Sequence, residues 1–398
     1  MNYIYIIIVG YNDLDHLIPF IYQAADQPAS RHTIWLTGQA RCNTKVRNLT
    51  KLAQVKGIKV IEGFSNPLIK LLALFLLQIE EKIQFYYFNR TVTKLKSLLL
   101  SLDSHFLPDC LQPRTANICI SAHTEIPEVF IKEAKRNSEN KFFLLPHGFP
   151  ICKNSMQVIT QLQKIQVSPP EDSIFDSRIV TDAFLKNKST RIGSLRFSRY
   201  WLNLKKEFDA PMAWNKTCKL KIVLIDPKDQ VNTFRDEVWR TCQMILQMMD
   251  CSIAVANRGN KPPKSIKHLL DSPNFLWMPA EIATSSAIDW ADIVIHNGTT
   301  LHAECIEKNK VTILPRYFAC NKTYCEIYGS ALVAETRDDL YNFIESARTD
   351  FNQFKQDFFE KTKKGTEKFS SDFYDTDVNP FEQYIKHIKK VIYDEEEH

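Results

Sequence analysis

The chain has 398 residues, of which 44% are hydrophobic and 24% charged, a globular composition that excludes intrinsic disorder and a length that predicts two domains instead of one core. Its net charge of +5, from 51 basic and 46 acidic residues and with an acidic Asp394-Glu395-Glu396-Glu397 end, lacks the concentrated positive charge of a nucleic-acid binder, and no nucleic-acid partner is expected. Ten cysteines occur without a C-x-x-C pair, which argues against a disulfide scaffold and reads as reduced thiols.

Residues 3–9 form the first apolar run and read as a buried strand, because no basic leader precedes it and no small-residue cleavage site follows it. The loop after it, Gly10 to His16, offers Asp13 and Asp15 as acceptor-side candidates or as caps of the next helix. Further strands are expected at 33–36, 58–61, 117–121 and 141–145, alternating with helical patterns. The apolar stretch 68–79 is too short to span a bilayer, and with the amphipathic pattern to residue 102 it is expected to pack in the core or at a dimer contact, with a peripheral membrane contact as the alternative.

A second series follows residues 214–217, with strands expected at 220–225, 252–256, 275–277, 292–295, 311–314 and 331–334 and helices at 231–249 and 301–308. Helices are expected again at 337–347, 351–364 and, after Asn379-Pro380, at 381–393. The pattern predicts an α/β chain of two facing Rossmann-like domains, 1–205 and 206–375, with a C-terminal helix, 376–398, returning to the first domain. That is the GT-B architecture. With only ten glycines, and neither G-x-G-x-x-G nor G-x-x-x-x-G-K-[ST] present, dinucleotide oxidoreductases and P-loop kinases are disfavoured.

Chemistry-bearing residues cluster where strands are expected to end. In the second domain these are Asp226-Pro227-Lys228-Asp229, Asn257-Arg258-Gly259-Asn260-Lys261, and Asn297-Gly298-Thr299-Thr300 opening a helix that carries Glu304. Ligands of parallel sheets sit at that edge. Asp226, Lys228, Arg258, Asn297, Gly298, Thr299, Thr300 and Glu304 are therefore the nucleotide-binding candidates. Arg258 supplies a fork for phosphate, the threonines supply hydroxyls and helix N–H groups, and Glu304 is either an acceptor for ribose hydroxyls or a solvated helix residue. His296, His302 and Cys305 lack the companion spacing of a zinc site and read as buried or capping residues.

In the first domain, Pro146-His147-Gly148 places His147 just beyond a strand, while the preceding strand ends in Ser121-Ala122-His123-Thr124-Glu125. A neutral His147 there suits the general base of an inverting transfer, with His123 or Glu125 as alternative base or orienting group. No metal or cofactor is expected, since the helix dipole and side chains at the donor edge can stabilise the leaving phosphate.

The segment Arg191 to Trp201, with Pro146 to Pro150 upstream and Ala291 to Glu304 downstream, resembles bacterial surface-carbohydrate biosynthesis proteins of the GT-B type, capsule and O-antigen glycosyltransferases and polyol-phosphate transferases among them. The resemblance covers roughly residues 117–335 and implies a nucleotide-activated sugar donor on the C-terminal domain and a glycan or lipid-linked acceptor on the N-terminal one; a cytoplasmic location is expected, with peripheral contact at the inner membrane face through residues 68–102 as the alternative. This chain departs from it in carrying Ala256-Asn257-Arg258 where many members have a His-Pro pair, and Thr299-Thr300 where paired serines are common. The reading is a metal-independent glycosyltransferase, with polyol-phosphate transfer, nucleotide-sugar 2-epimerisation and a non-catalytic GT-B-like scaffold as alternatives.

Overall fold

The computed structural model describes residues 3–8, 11–26, 31–36, 59–62, 117–121, 141–145, 177–180, 190–209, 211–214, 217–226, 233–257, 261–279, 282–374 and 380–393. The first sheet contains β1 (Tyr3–Ile8), β2 (Arg31–Leu36), β3 (Lys59–Glu62), β4 (Asn117–Ser121), β5 (Lys141–Leu144), β6 (Ser177–Val180) and β7 (Thr190–Arg191), in the order β3-β2-β1-β4-β5-β6-β7. The second contains β8 (Leu220–Ile225), β9 (Cys251–Ala256), β10 (Phe275–Trp277), β11 (Ile293–Ile295), β12 (Val311–Pro315) and β13 (Leu332–Ala334), in the order β10-β9-β8-β11-β12-β13. Every pairing between these strands is parallel.

Continuous apolar runs explain the centre of the second sheet. All six residues of β9 and all of β11 and β12 are buried, as expected of parallel strands covered on both faces. The covering helices are α3 (Arg235–Gln247), α4 (Lys267–Leu270), α5 (Thr284–Trp290), α6 (Leu301–Glu307), α7 (Tyr324–Tyr328), α8 (Arg337–Thr349) and α9 (Phe351–Phe373), numbered after α1 (Tyr11–Ala24) and α2 (Arg199–Phe208). Capping explains several boundaries. Thr323 and Thr336 close capping boxes with Glu326 and Asp339, and Gly329 ends α7 in the left-handed region at φ 68°.

The last helix, α10 (Pro380–Tyr393), returns to the first sheet's layer. Phe381, Tyr384 and Ile388 share a core with Leu17, Phe20 and Ile21 of α1, with the Phe20 and Phe381 rings 5.8 Å apart. The segment leading into α2 joins both halves. Ile192, Leu195 and Trp201 belong to that same core, whereas Phe197 packs with Ala303, Leu314 and Tyr374. Between them Arg196 pairs with the buried Asp15 and lies 2.8 Å from His16 Nε2.

Several expectations are corrected. Tyr11 to His16 belong to α1, so Asp13 and Asp15 stand in its opening turns and not in a loop before it. Strands β6 and β7 were not expected, α9 runs to Phe373 instead of ending near residue 364, and α3 begins at Arg235. The stretch 68–102 lies outside the described residues. Among the described residues no helix is long and apolar enough to cross a membrane.

One packing contact gives a prediction. Gly365 lies on α9 where a Cβ would meet the carbonyl oxygen of Tyr328 and the backbone of Gly329. Gly to Ala in a helix ordinarily stabilises by up to about 1 kcal/mol. Here backbone must move instead, and Gly365→Ala is expected to destabilise by about 2 kcal/mol, measured as a lower urea midpoint; an unchanged or higher midpoint contradicts the contact.

Candidate functional site

In both sheets the strand order reverses beside the first strand of the series, between β1 and β4 and between β8 and β11. Such a reversal sends successive connections to opposite faces and leaves a crevice at the carboxyl ends, where open α/β sheets take ligands. In the second sheet Ile295 stands opposite Leu224, so His296-Asn297 and Ile225-Asp226 leave the two strands side by side.

The β11 exit is a turn around Gly298, whose φ of 75° belongs to the left-handed region that a side chain disfavours. Asn297 is buried, and its Nδ2 has no hydrogen-bond partner. Thr299 and Thr300 are half-buried. Thr299 Oγ1 accepts the Leu301 N–H at 3.3 Å, while Thr300, at the N-cap of α6, makes no side-chain cap bond. At the β8 exit, Asp226 pairs with Arg235, the first residue of α3. At the β9 exit, Asn257 Nδ2 donates to Met278 O at 2.8 Å, tying the ends of β9 and β10 together. Asp226, Asn297, Gly298, Thr299 and Thr300 are thus gathered along one edge. Lys228 and Arg258 lie outside the described residues, as do His123, Glu125 and His147 in the first half.

Glu304 is neither solvated nor at the mouth of that edge. It is 1% exposed, and its carboxylate accepts from Ser285 of α5 and pairs with Lys308 at 2.9 Å. Lys308, whose side chain is also buried, reaches Ser285 Oγ at 2.7 Å and Asp289 at 2.8 Å. Burial alone raises the Glu304 carboxyl, but attraction to Lys205 and Lys308 and the hydrogen bonds from Ser285 and Lys308 outweigh it and bring it to about 2. Glu304 therefore clamps α6 to α5, with the Asn297–Thr300 turn held at the head of the clamped helix.

Behind the turn lies a chain of neutral groups. His296 Nε2 is 3.1 Å from His302 Nδ1, and His302 Nε2 is 2.8 Å from Ser330 Oγ, which lies 3.3 Å from Cys325 O. Phe369 meets the His302 ring edge to face at 5.0 Å. Burial pushes His296 down to about 3; burial and then His296 lower His302 as well. Both imidazoles are neutral at pH 7. Among the described residues no group of three or more His, Cys, Asp or Glu side chains is arranged to hold a metal ion.

Arg235 at this edge and Ser330 behind it escaped sequence reasoning. Arg235 was read inside a helix beginning at 231, four residues before the observed start of α3, although an arginine opening the helix after a first strand is a readable signal. The partner of His302, Ser330, is 28 residues away in sequence, and no local spacing announces it.

No family model and no curated protein matches the chain. Solved structures do match in shape. The UDP-GlcNAc 2-epimerase of Neisseria meningitidis bound to UDP-GlcNAc is similar at a TM-score of 0.59 and 9% identity, over 98% of this chain and 100% of that one. The HepE protein of Anabaena in complex with UDP is similar at 0.52 and 10% identity, over 98% and 100%, and the glycotransferase of kitacinnamycin at 0.52 and 10%, over 98% and 99%. Together with the two sheets and the returning helix α10, these likenesses show the GT-B fold.

Proposed function

We propose that the chain is an enzyme acting on a nucleotide-activated sugar, with the nucleotide held at the carboxyl ends of β8 and β11. The observation that carries the reading is the gathering of Asn297, Gly298, Thr299 and Thr300 beside Asp226 and Arg235 at the point where the strand order reverses. A diphosphate needs donors and a guanidinium at close backbone approach. The turn and Arg235 provide that set, with Lys228 and Arg258 as further cations from the neighbouring loops. UDP is the first nucleotide to test, because two similar structures carry UDP or a UDP-sugar.

The reaction proposed is glycosyl transfer to a glycan or lipid-linked acceptor, with His147 as general base and His123 or Glu125 as the group that orients it or replaces it. Charge on the leaving diphosphate is met by side chains in this reading, without a metal ion. His147→Ala is expected to abolish turnover and leave UDP affinity within about twofold, while Thr300→Ala and Arg258→Ala weaken UDP binding about tenfold each, the equivalent of one charge-assisted or hydroxyl contact. Equal loss of binding in all three variants contradicts this division of labour.

Epimerisation at the sugar C2 is the second reading, favoured by the likeness to UDP-GlcNAc 2-epimerases over nearly the whole chain. Proton NMR of UDP-GlcNAc incubated with the chain separates the two. Transfer releases UDP in proportion to added acceptor, whereas an epimerase changes the sugar signals with no acceptor present.

A further inference from the structure

The histidine chain behind the turn ends on an atom with no partner, and its protons can be assigned. The Ser330 hydroxyl carries one hydrogen, and Cys325 O, 3.3 Å away, can only accept it. Ser330 Oγ therefore accepts from His302 Nε2–H. A neutral His302 then carries no proton on Nδ1, which accepts from His296 Nε2–H. A neutral His296 in turn carries no proton on Nδ1. That nitrogen is a lone-pair acceptor, fully buried and unpartnered, and the next residue presents a buried, unpartnered donor, Asn297 Nδ2. Unmet buried polar groups each cost about 1–3 kcal/mol, and two of opposite character on consecutive residues, at the edge where ligands of this sheet bind, mark a place built for a partner.

The acceptor settles which part of a ligand fits. A phosphate oxygen also bears only lone pairs and is repelled by His296 Nδ1, so phosphate belongs with Thr299, Thr300 and the cations. A hydroxyl donates and accepts at once. We propose that His296 Nδ1 and Asn297 Nδ2 together hold one hydroxyl of the sugar carried by the nucleotide, the hydroxyl donating to His296 and accepting from Asn297. The assignment rests on the nucleotide-sugar reading above and deepens it. His302 and Ser330 are positioning residues that fix the tautomer from behind. Neither atom is open to solvent, so the hydroxyl enters with a local shift of the turn around the left-handed Gly298. Because burial keeps His296 uncharged, the acceptor is present at every pH near neutrality. A site that hydrogen-bonds a hydroxyl rejects analogues lacking it far more strongly than an apolar site rejects an added methylene.

The test is side-chain nitrogen NMR of the ¹⁵N-labelled full chain, titrated with UDP and separately with UDP-GlcNAc. The expected result is that free His296 shows an unprotonated Nδ1, that UDP binds without moving its signal, and that UDP-GlcNAc shifts it toward the hydrogen-bonded position. In parallel, His296→Phe is expected to weaken UDP-GlcNAc about tenfold while leaving UDP within about twofold. Ser330→Ala is expected to mix the His302 tautomers, a spectral change that packing loss does not produce, with Ser330→Thr restoring one form. Binding of both compounds with no change at His296 Nδ1, or a protonated Nδ1 in the free chain, overturns this assignment and leaves the nucleotide-sugar reading standing. Failure of both compounds to bind overturns that reading, and the assignment with it.

Discussion

Glu304→Ala is expected to lower the stability of the folded chain by about 3 kcal/mol or more, among the largest effects of any single truncation in the second half. The Glu304 and Lys308 side chains are both buried, 2.9 Å apart, and bridged through Ser285. Removing one member of a buried pair leaves the other charge without compensation, which typically costs about 3–5 kcal/mol. Asp289, partly exposed and 2.8 Å from Lys308, offsets a portion and puts the expectation at the lower end. Replacing both residues, as Glu304→Met with Lys308→Met, should recover most of the loss, because an apolar pair of similar volume has no charge to desolvate. Urea unfolding of the two single variants and the double variant checks this. A Glu304→Ala midpoint within error of the parent contradicts the clamp and returns Glu304 to the solvated helix residue that its spacing also allows.

The second large effect is loss of stability in mild acid. An unfolded histidine takes its proton near 6.5, whereas burial holds folded His296 neutral down to about 3. Between those values the unfolded state binds the additional proton, so stability is intact above 6.5 and falls as pH drops, by about 1.4 kcal/mol per pH unit. From 6.5 to 5 His296 alone accounts for about 2 kcal/mol, and His302, lowered by burial and by His296, acts in the same direction. Glu304 enters later. Its carboxyl is held at about 2 against an ordinary 4.5, so its contribution is complete above 4.5 and is lost as pH falls toward 2. Unfolding free energy measured at pH 7, 6 and 5 should therefore decline over a range in which folded Glu304 keeps its charge. In His296→Asn that early decline should lessen, and a parent chain equally stable at pH 7 and 5 contradicts the buried neutral pair.

The strongest periodicities were legible in the sequence. The strands Leu220–Ile225, Phe275–Trp277 and Asn117–Ser121 have the expected bounds, because buried parallel strands are unbroken apolar runs between turn residues. The last helix was legible after Asn379-Pro380, and its return from its place beyond the second sheet. Strands β6 and β7 were not: one has four residues, the other two exposed ones, too short to show a period. Helix α1 carries Asp13, Asp15 and His16 in its first half, which read as a polar loop. Asp15 is nonetheless buried because Arg196, far along the chain, pairs with it. The same limit applies to the candidate site. The Asn297–Thr300 turn was readable as a strand end opening a helix, whereas the partners of Glu304 and His302 come from α5 and from the residue after Gly329. Tertiary contacts of that kind leave no mark on local spacing.

The crystal structure of the chain grown with UDP tests the central claim most directly. The account predicts the pyrophosphate within hydrogen-bonding distance of Thr299 and Thr300, at the carboxyl ends of β8 and β11. UDP bound at the first sheet, or a well-diffracting crystal grown at millimolar UDP with those strand ends bare, would contradict it.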